Sequence, residues 1–177
     1  SMIIDIVPAQ LAGFLLAAAL ITLAPGPDNL SVLSLGLSRG RHAGIGFGLG
    51  CALGCFTHTV WATLGVTALI AASETAFLAL KMAGAAYLVW LGWQALRSAG
   101  ANFTVEAGIG SDPTPLRAYL LRGFVANAIN PKVALFFLAF LPQFIEPARG
   151  NAAVQTALLG TLFAVQTVFI FGALGWY

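Results

Sequence analysis

Asp28 and Lys132 are charged residues in stretches otherwise apolar enough to sit in lipid. Asp28 follows Ala24-Pro25-Gly26-Pro27 and precedes Asn29, with an uncharged run on either side. Lys132 follows Asn127, Asn130 and Pro131 in a second such run. An unpaired charge at bilayer depth costs at least about 2.5–3.5 kcal/mol, so an acid or base there marks a functional site by default. A structural kink holding a buried Asp–Lys pair is the plainer alternative.

The prolines add chemistry of their own. Each lacks a backbone N–H and crowds the carbonyl four residues back. Pro25 frees the carbonyl of Ile21, Pro27 that of Leu23, and Pro131 that of Asn127. Freed carbonyls and Asp28 suit an ammonium group. Half-helices that start after Pro27 and Pro131 offer N–H groups and a positive dipole end to an anion. Together these features fit a zwitterion. The expected substrate site is Pro25, Gly26, Pro27, Asp28, Asn29, Asn127, Asn130, Pro131 and Lys132. Imidazole titrates near neutral pH, which makes His58 a candidate proton relay with Asp28. A plain hydrogen bond to a neighbouring helix is the commoner use of a lone intramembrane histidine.

The elements that position these residues are membrane spans. The 177-residue chain is 59% hydrophobic and 8% charged, with a mean hydropathy of +0.91. Soluble domains carry roughly 25% charged residues, so the class is an all-α, polytopic helical membrane protein. A net charge of +2 without a basic run gives no footing for nucleic acid. No P-loop, nucleophile elbow or HExxH motif appears, so the chain does not read as an enzyme and no cofactor is expected. Any uphill transport would draw on an ion gradient. Cys51 and Cys55 stand one helical turn apart without a His or acid at metal-ligand spacing, so packing is expected there rather than a metal or redox site.

A span takes about 20 apolar residues. Five runs qualify: 8–38, broken at Pro25-Gly26-Pro27; 43–72; 75–96; 118–145, broken at Pro131; and 152–177. The first has no basic leader or A-x-A site and reads as a permanent span, while Ser1 before Met2 reads as the remnant of a cleaved tag. Residues 97–117 form the polar connection, and Glu74, Glu106, Asp112 and Glu146 read as solvated loop charges. Arg39, Arg41, Arg97 and Arg117 flank the first and third connections, which are therefore expected in the cytoplasm with the N-terminus outside. Trp90 and Trp93 fit the cytoplasmic interface. Gly46, Gly50 and Gly54 recur every fourth residue, the spacing that lets helix backbones approach closely. The same face is suited to packing between copies of the chain, as a homo-oligomer.

Two proline-broken spans, with His58 in the span after the first and Gln166 in the span after the second, suggest a duplication. A unit of three spans is odd, so its copy would be inverted in the membrane, the arrangement that places a transporter site between paired broken helices. Repeat one would cover about 8–97, the loop 98–117 and repeat two 118–177. By this logic a sixth span is expected beyond Tyr177.

Several motifs then fall into one pattern. Ala24-Pro25-Gly26-Pro27-Asp28-Asn29 resembles the signature break of the LysE/RhtB family of amino-acid exporters. Gly84-x-x-Tyr87-Leu88-x-x-Leu91-Gly92 with Leu96-Arg97 resembles that family's third span. Gly123-Phe124, Asn127, Asn130-Pro131-Lys132 and Phe136-Phe137 resemble its second break, and Leu141-Pro142-Gln143-Phe144 the end of the same helix. The resemblance implies a bacterial inner-membrane protein that exports amino acids or their derivatives, driven by the proton gradient. That family often has Asn where this chain has Asp28, and only Asp can carry a charge or a proton. Other readings are a transmembrane thiol–disulfide relay through Cys51 and Cys55, and a small-ion or metal exporter. Metals favour several thiolates, imidazoles or carboxylates together, and this sequence scatters them.

Overall fold

The computed structural model describes residues 8–23, 27–97 and 112–176, with side chains from 10–23, 30–97 and 112–176. Every element in these residues is helical: α1 (Pro8–Leu23), α2 (Pro27–Arg39), α3 (Arg41–Ala72), α4 (Glu74–Arg97), α5 (Leu116–Ala128), α6 (Pro131–Phe140) and α7 (Ala152–Trp176). Three-residue-per-turn segments follow α6 at Leu141–Phe144 and Pro147–Arg149. α3, α4 and α7 are each long and apolar enough to cross a membrane. Leu116–Ala128 and Pro131–Phe144, bent by 63° at the break, are together long and apolar enough for a fourth crossing if the pair is one span.

Local chemistry sets the boundaries. The side chains of Ser73, Asn130 and Asn151 each accept a backbone N–H in the first turn of α4, α6 and α7. Glu74 opens α4 and Arg97 closes it, opposing the helix dipole at both ends. Gly40, at φ 100°, makes the tight passage from α2 into α3 that a side chain would resist.

α3 is the central helix, and its glycines decide what it touches. A Cβ at Gly46 would meet Leu116 and Tyr119, one at Gly50 the Leu120 carbonyl oxygen at 2.0 Å, and one at Gly54 the Asn127 side chain. The residue numbers rise together, so α3 and α5 run parallel with their backbones in direct contact. Gly123 answers from α5, where a Cβ would lie 2.1 Å from the Phe47 carbonyl oxygen. Gly44 and Gly48 face Gly175 and Phe171, and Thr59 faces Gly160, so α3 and α7 run antiparallel. The four-residue glycine repeat is therefore consumed inside the chain, against α5.

An aromatic core fills the space between α1, α6 and α7. Phe14 and Phe140 stack at 5.4 Å, Phe136 and Phe140 at 5.1 Å, and Phe137 meets Phe163 edge-on at 5.0 Å. The bundle has two polar ends. One gathers Arg39, Arg41, Asp112, Thr114 and the end of α7. The other gathers Gln10, Lys81, Gln143 and the turn around Glu146.

Candidate functional site

The second break is built from three side chains and a proline. α5 ends at Ala128, and Pro131 opens α6 in the first helical position, where its missing N–H costs nothing. Asn130 is the cap, its Oδ1 accepting the Lys132 N–H at 3.0 Å. That oxygen is thus committed to the helix. The Asn127 carbonyl, which Pro131 cannot serve, receives the Asn130 N–H at 3.1 Å and His58 Nε2 at 2.7 Å. The freed carbonyl anticipated as an acceptor for an ammonium is therefore already engaged by α3.

The carbonyl also settles the histidine's tautomer. An oxygen acceptor at Nε2 requires the proton there, so a neutral ring leaves Nδ1 as a bare acceptor. His58 is 2% exposed, against the Phe137 ring, and Nδ1 is buried without a hydrogen-bond partner among the described residues. Gly54 makes room for the Asn127 side chain, so a small residue on α3 and a histidine one turn later together seat the end of α5.

A matching arrangement sits on α7. Gln166 Nε2 donates to Thr22 Oγ1 at 2.8 Å, in the last turn of α1 before the first break. Its Oε1 is buried and has no partner among the described residues. The dipeptides correspond too: Thr59 after His58 and Thr167 after Gln166 each donate to the carbonyl four residues earlier, at 2.9 and 2.8 Å. The sequence signalled Gln166 only as a mid-span amide. Its partner was not legible.

The remaining expected residues separate. Lys132 is exposed at the start of α6, outside the buried cluster of His58 and Asn127. Pro27, Asp28 and Asn29 form the first turn of α2, and their side chains lie outside the described residues, as do Pro25 and Gly26 altogether. Cys51 packs with Val32 and Phe171, whereas Cys55 belongs to the aromatic core, so the two thiols serve different packing layers. That division disfavours a thiol relay.

Asp112 corrects the expectation of a solvated loop charge. Its side chain is only 6% exposed, with Arg39 3.9 Å away. The Tyr119 hydroxyl donates to Oδ2, and the Thr114 N–H to Oδ1 at 3.0 Å. These two bonds, the hydroxyl foremost, hold its carboxyl at about 2, below the usual 3.8. The Asp112-Pro113-Thr114 spacing is that of an aspartate turn, the signal from which this latch could have been read. His42 adds a contact to the Thr114 carbonyl at 3.2 Å, and Arg41 donates to the Trp176 carbonyl at 2.7 Å while lying over its ring.

At the opposite end, Lys81 Nζ donates to the Ile145 carbonyl at 3.2 Å and Gln143 Nε2 returns to the Lys81 carbonyl at 2.8 Å. Gly84 lets α4 lie against Ala139 of α6 just above. Two adjoining clefts of about 220 and 310 Å³ open here, sharing Lys81 and Glu146.

This is a polytopic helical membrane protein with an interrupted span folded around a buried polar centre. The chain belongs to the LysE type translocator family, whose profile matches residues 19–176. It is 31% identical to a homoserine/homoserine lactone efflux protein of Salmonella typhimurium, over 90% of this chain and 76% of that one. It is 32% identical to a leucine efflux protein of Enterobacter sp. strain 638, over 84% and 69%. An uncharacterized membrane protein of Vibrio cholerae is 35% identical over 90% and 76%. No solved structure matches the chain.

Proposed function

We propose that the protein exports amino acids or their derivatives across the bacterial inner membrane, coupled to the proton gradient, from a site between its two proline-broken helices. The observation that carries this reading is the second break, where a 63° bend is held by the Asn130 cap and by the buried pair His58 and Asn127. Irregular backbone at membrane depth persists where it is buried in protein or lines a wet cavity. The relatives that efflux homoserine, its lactone and leucine support the substrate class. Parallel α3 and α5, antiparallel α3 and α7, and the paired side chains His58 and Gln166 support an inverted duplication over 8–97 and 118–177.

In this reading the substrate binds near Asp28, Asn29, Asn127, Asn130 and Lys132. Protonation of Asp28, with His58, changes the charge of the empty site, and rocking of the two halves alternates access. Basic residues at the Arg39–Arg41 end support the reading that this end is cytoplasmic and the N-terminus outside. The test is growth on a panel of toxic amino acids and analogues, with and without the gene, followed by efflux from loaded vesicles with and without a pH gradient. The expected result is protection against one chemical class and gradient-dependent efflux of it. Protection against none, with efflux equal to that of empty vesicles, would reject the proposal.

A further inference from the structure

The two central helices each present a buried acceptor that no described residue serves, and the two are placed alike. His58 on α3 uses one nitrogen to hold the end of α5, and Gln166 on α7 uses its amide nitrogen to hold the end of α1. Each bond falls at the last turn before a break. Each leaves one atom over, His58 Nδ1 and Gln166 Oε1. A buried acceptor without a donor forfeits the hydration it had in water, and native chains keep few of them.

We propose that His58 Nδ1 and Gln166 Oε1 are two successive acceptors for the N–H donors of the cargo's ammonium group, one supplied by each half of the chain. This rests on the amino-acid export reading above. It also explains what replaces the Asn127 carbonyl, which is already bonded: the imidazole takes that carbonyl at one nitrogen and offers an acceptor at the other. The α3–α7 register separates the two stations. With Gly44 against Gly175, Gly48 against Phe171 and Thr59 against Gly160, Gln166 lies level with Leu53. Leu53 precedes His58 by about 7.5 Å at 1.5 Å per residue. That is a step comparable to the length of a small amino acid. Gln166 is nearer the end that carries Arg39 and Arg41, and His58 nearer the end that carries Lys81 and Glu146. An outbound ammonium meets Gln166 first and His58 second.

Two histidine replacements separate the acceptor from the structural bond. Gln in place of His58 puts an amide N–H where Nε2 was and leaves nothing at Nδ1. Asn does the reverse. Proteoliposomes of the full chain are loaded with labelled leucine or homoserine. Efflux of leucine is competed from inside by unlabelled leucine or by 2-hydroxy-4-methylpentanoate, and efflux of homoserine by homoserine or by 2,4-dihydroxybutanoate. Each analogue carries a hydroxyl in place of the ammonium. The wild type should favour the amino acid, and His58→Gln should cut that preference by about tenfold or more, the worth of a hydrogen bond to a charged donor. His58→Asn should keep the preference while lowering the melting temperature. Gln166→Glu, which keeps the acceptor oxygen, should preserve or raise the preference, and Gln166→Met should lower it. An unchanged preference in His58→Gln and Gln166→Met, as expected if an ordered water serves each atom, overturns this inference while leaving amino-acid export intact. Efflux of neither substrate above that of protein-free liposomes removes the export reading and this inference with it.

Discussion

His58 Nε2 lies 2.7 Å from the backbone carbonyl oxygen of Asn127, the carbonyl that the proline at 131 cannot reach. The residues are far apart in sequence, on helices that run side by side in the same direction. The bond fixes where α5 stops and so where α6 can begin.

Removing the imidazole should therefore cost stability at the break. His58→Leu takes a donor from the Asn127 carbonyl, in a residue only 3% exposed. A loss of about 1–3 kcal/mol is expected, read as a lower melting temperature in detergent. His58→Gln, which restores a donor at the same reach, should recover most of it. Equal melting temperatures for wild type and His58→Leu would show that the bond carries no weight.

The glycines of the α3–α5 contact should be intolerant of a single methyl group. Gly123→Ala places a carbon 2.1 Å from the Phe47 carbonyl oxygen, and backbone cannot give way as a side-chain tip can. A destabilisation of at least about 1–3 kcal/mol is expected from the forced separation. Gly92→Ala, with nothing within 4 Å, should be neutral or stabilising by up to about 1 kcal/mol, because alanine is the better helix former. Thermal unfolding of the two variants in parallel makes the comparison.

The Asp112 latch predicts a pH dependence of definite sign. Its carboxyl ionises at about 2 in the fold against a usual 3.8. A carboxyl lowered by folding adds stability above its unfolded value, and that addition drains away as pH falls from about 4 towards 2. Tyr119→Phe removes the largest cause of the lowering. The variant should be less stable than wild type above pH 4, and the two should converge as pH falls through and below 2. Melting curves across this range decide it, and parallel curves would detach the hydroxyl from the effect.

Asp28→Asn should alter the pH dependence of efflux more than substrate affinity, since asparagine keeps the hydrogen bonds and loses the proton. Efflux from preloaded vesicles at several pH values reads the first, and concentration dependence reads the second. An unchanged pH profile with lost binding would reverse the assignment, making position 28 a substrate contact alone.

Much of this architecture was readable from local sequence. A proline inside an uncharged run announced the second break, because no other residue removes a donor and crowds a carbonyl at once, whereas Pro25 and Gly26 lie outside the described residues. The spacing of Gly46, Gly50 and Gly54 announced a close helix contact. What local sequence could not supply was the partner. Nothing near Gly50 says that the neighbour is α5 and runs parallel, which is why the same glycines also suggested contact between copies. Nothing near Asn127 says that a histidine on α3 takes its carbonyl. Lys132 was expected in the substrate site, and the start of α6 leaves it exposed, outside the buried pair of His58 and Asn127. Asp112 looked solvated because its partners Tyr119 and Arg39 belong to other elements.

Backbone against backbone at Gly50 and Gly123 has a mechanical consequence. With no layer of side chains between them, α3 and α5 cannot slide without parting, so they travel as one beam. α4 and α6 are joined likewise through Gly84 and Ala139, and through the Gln143–Lys81 bond. The chain joins the two beams twice, at Ser73 between α3 and α4 and at Ile129 and Asn130 between α5 and α6, and His58 packs across them against Phe137. Any swing that opens this half of the molecule bends at those two short links.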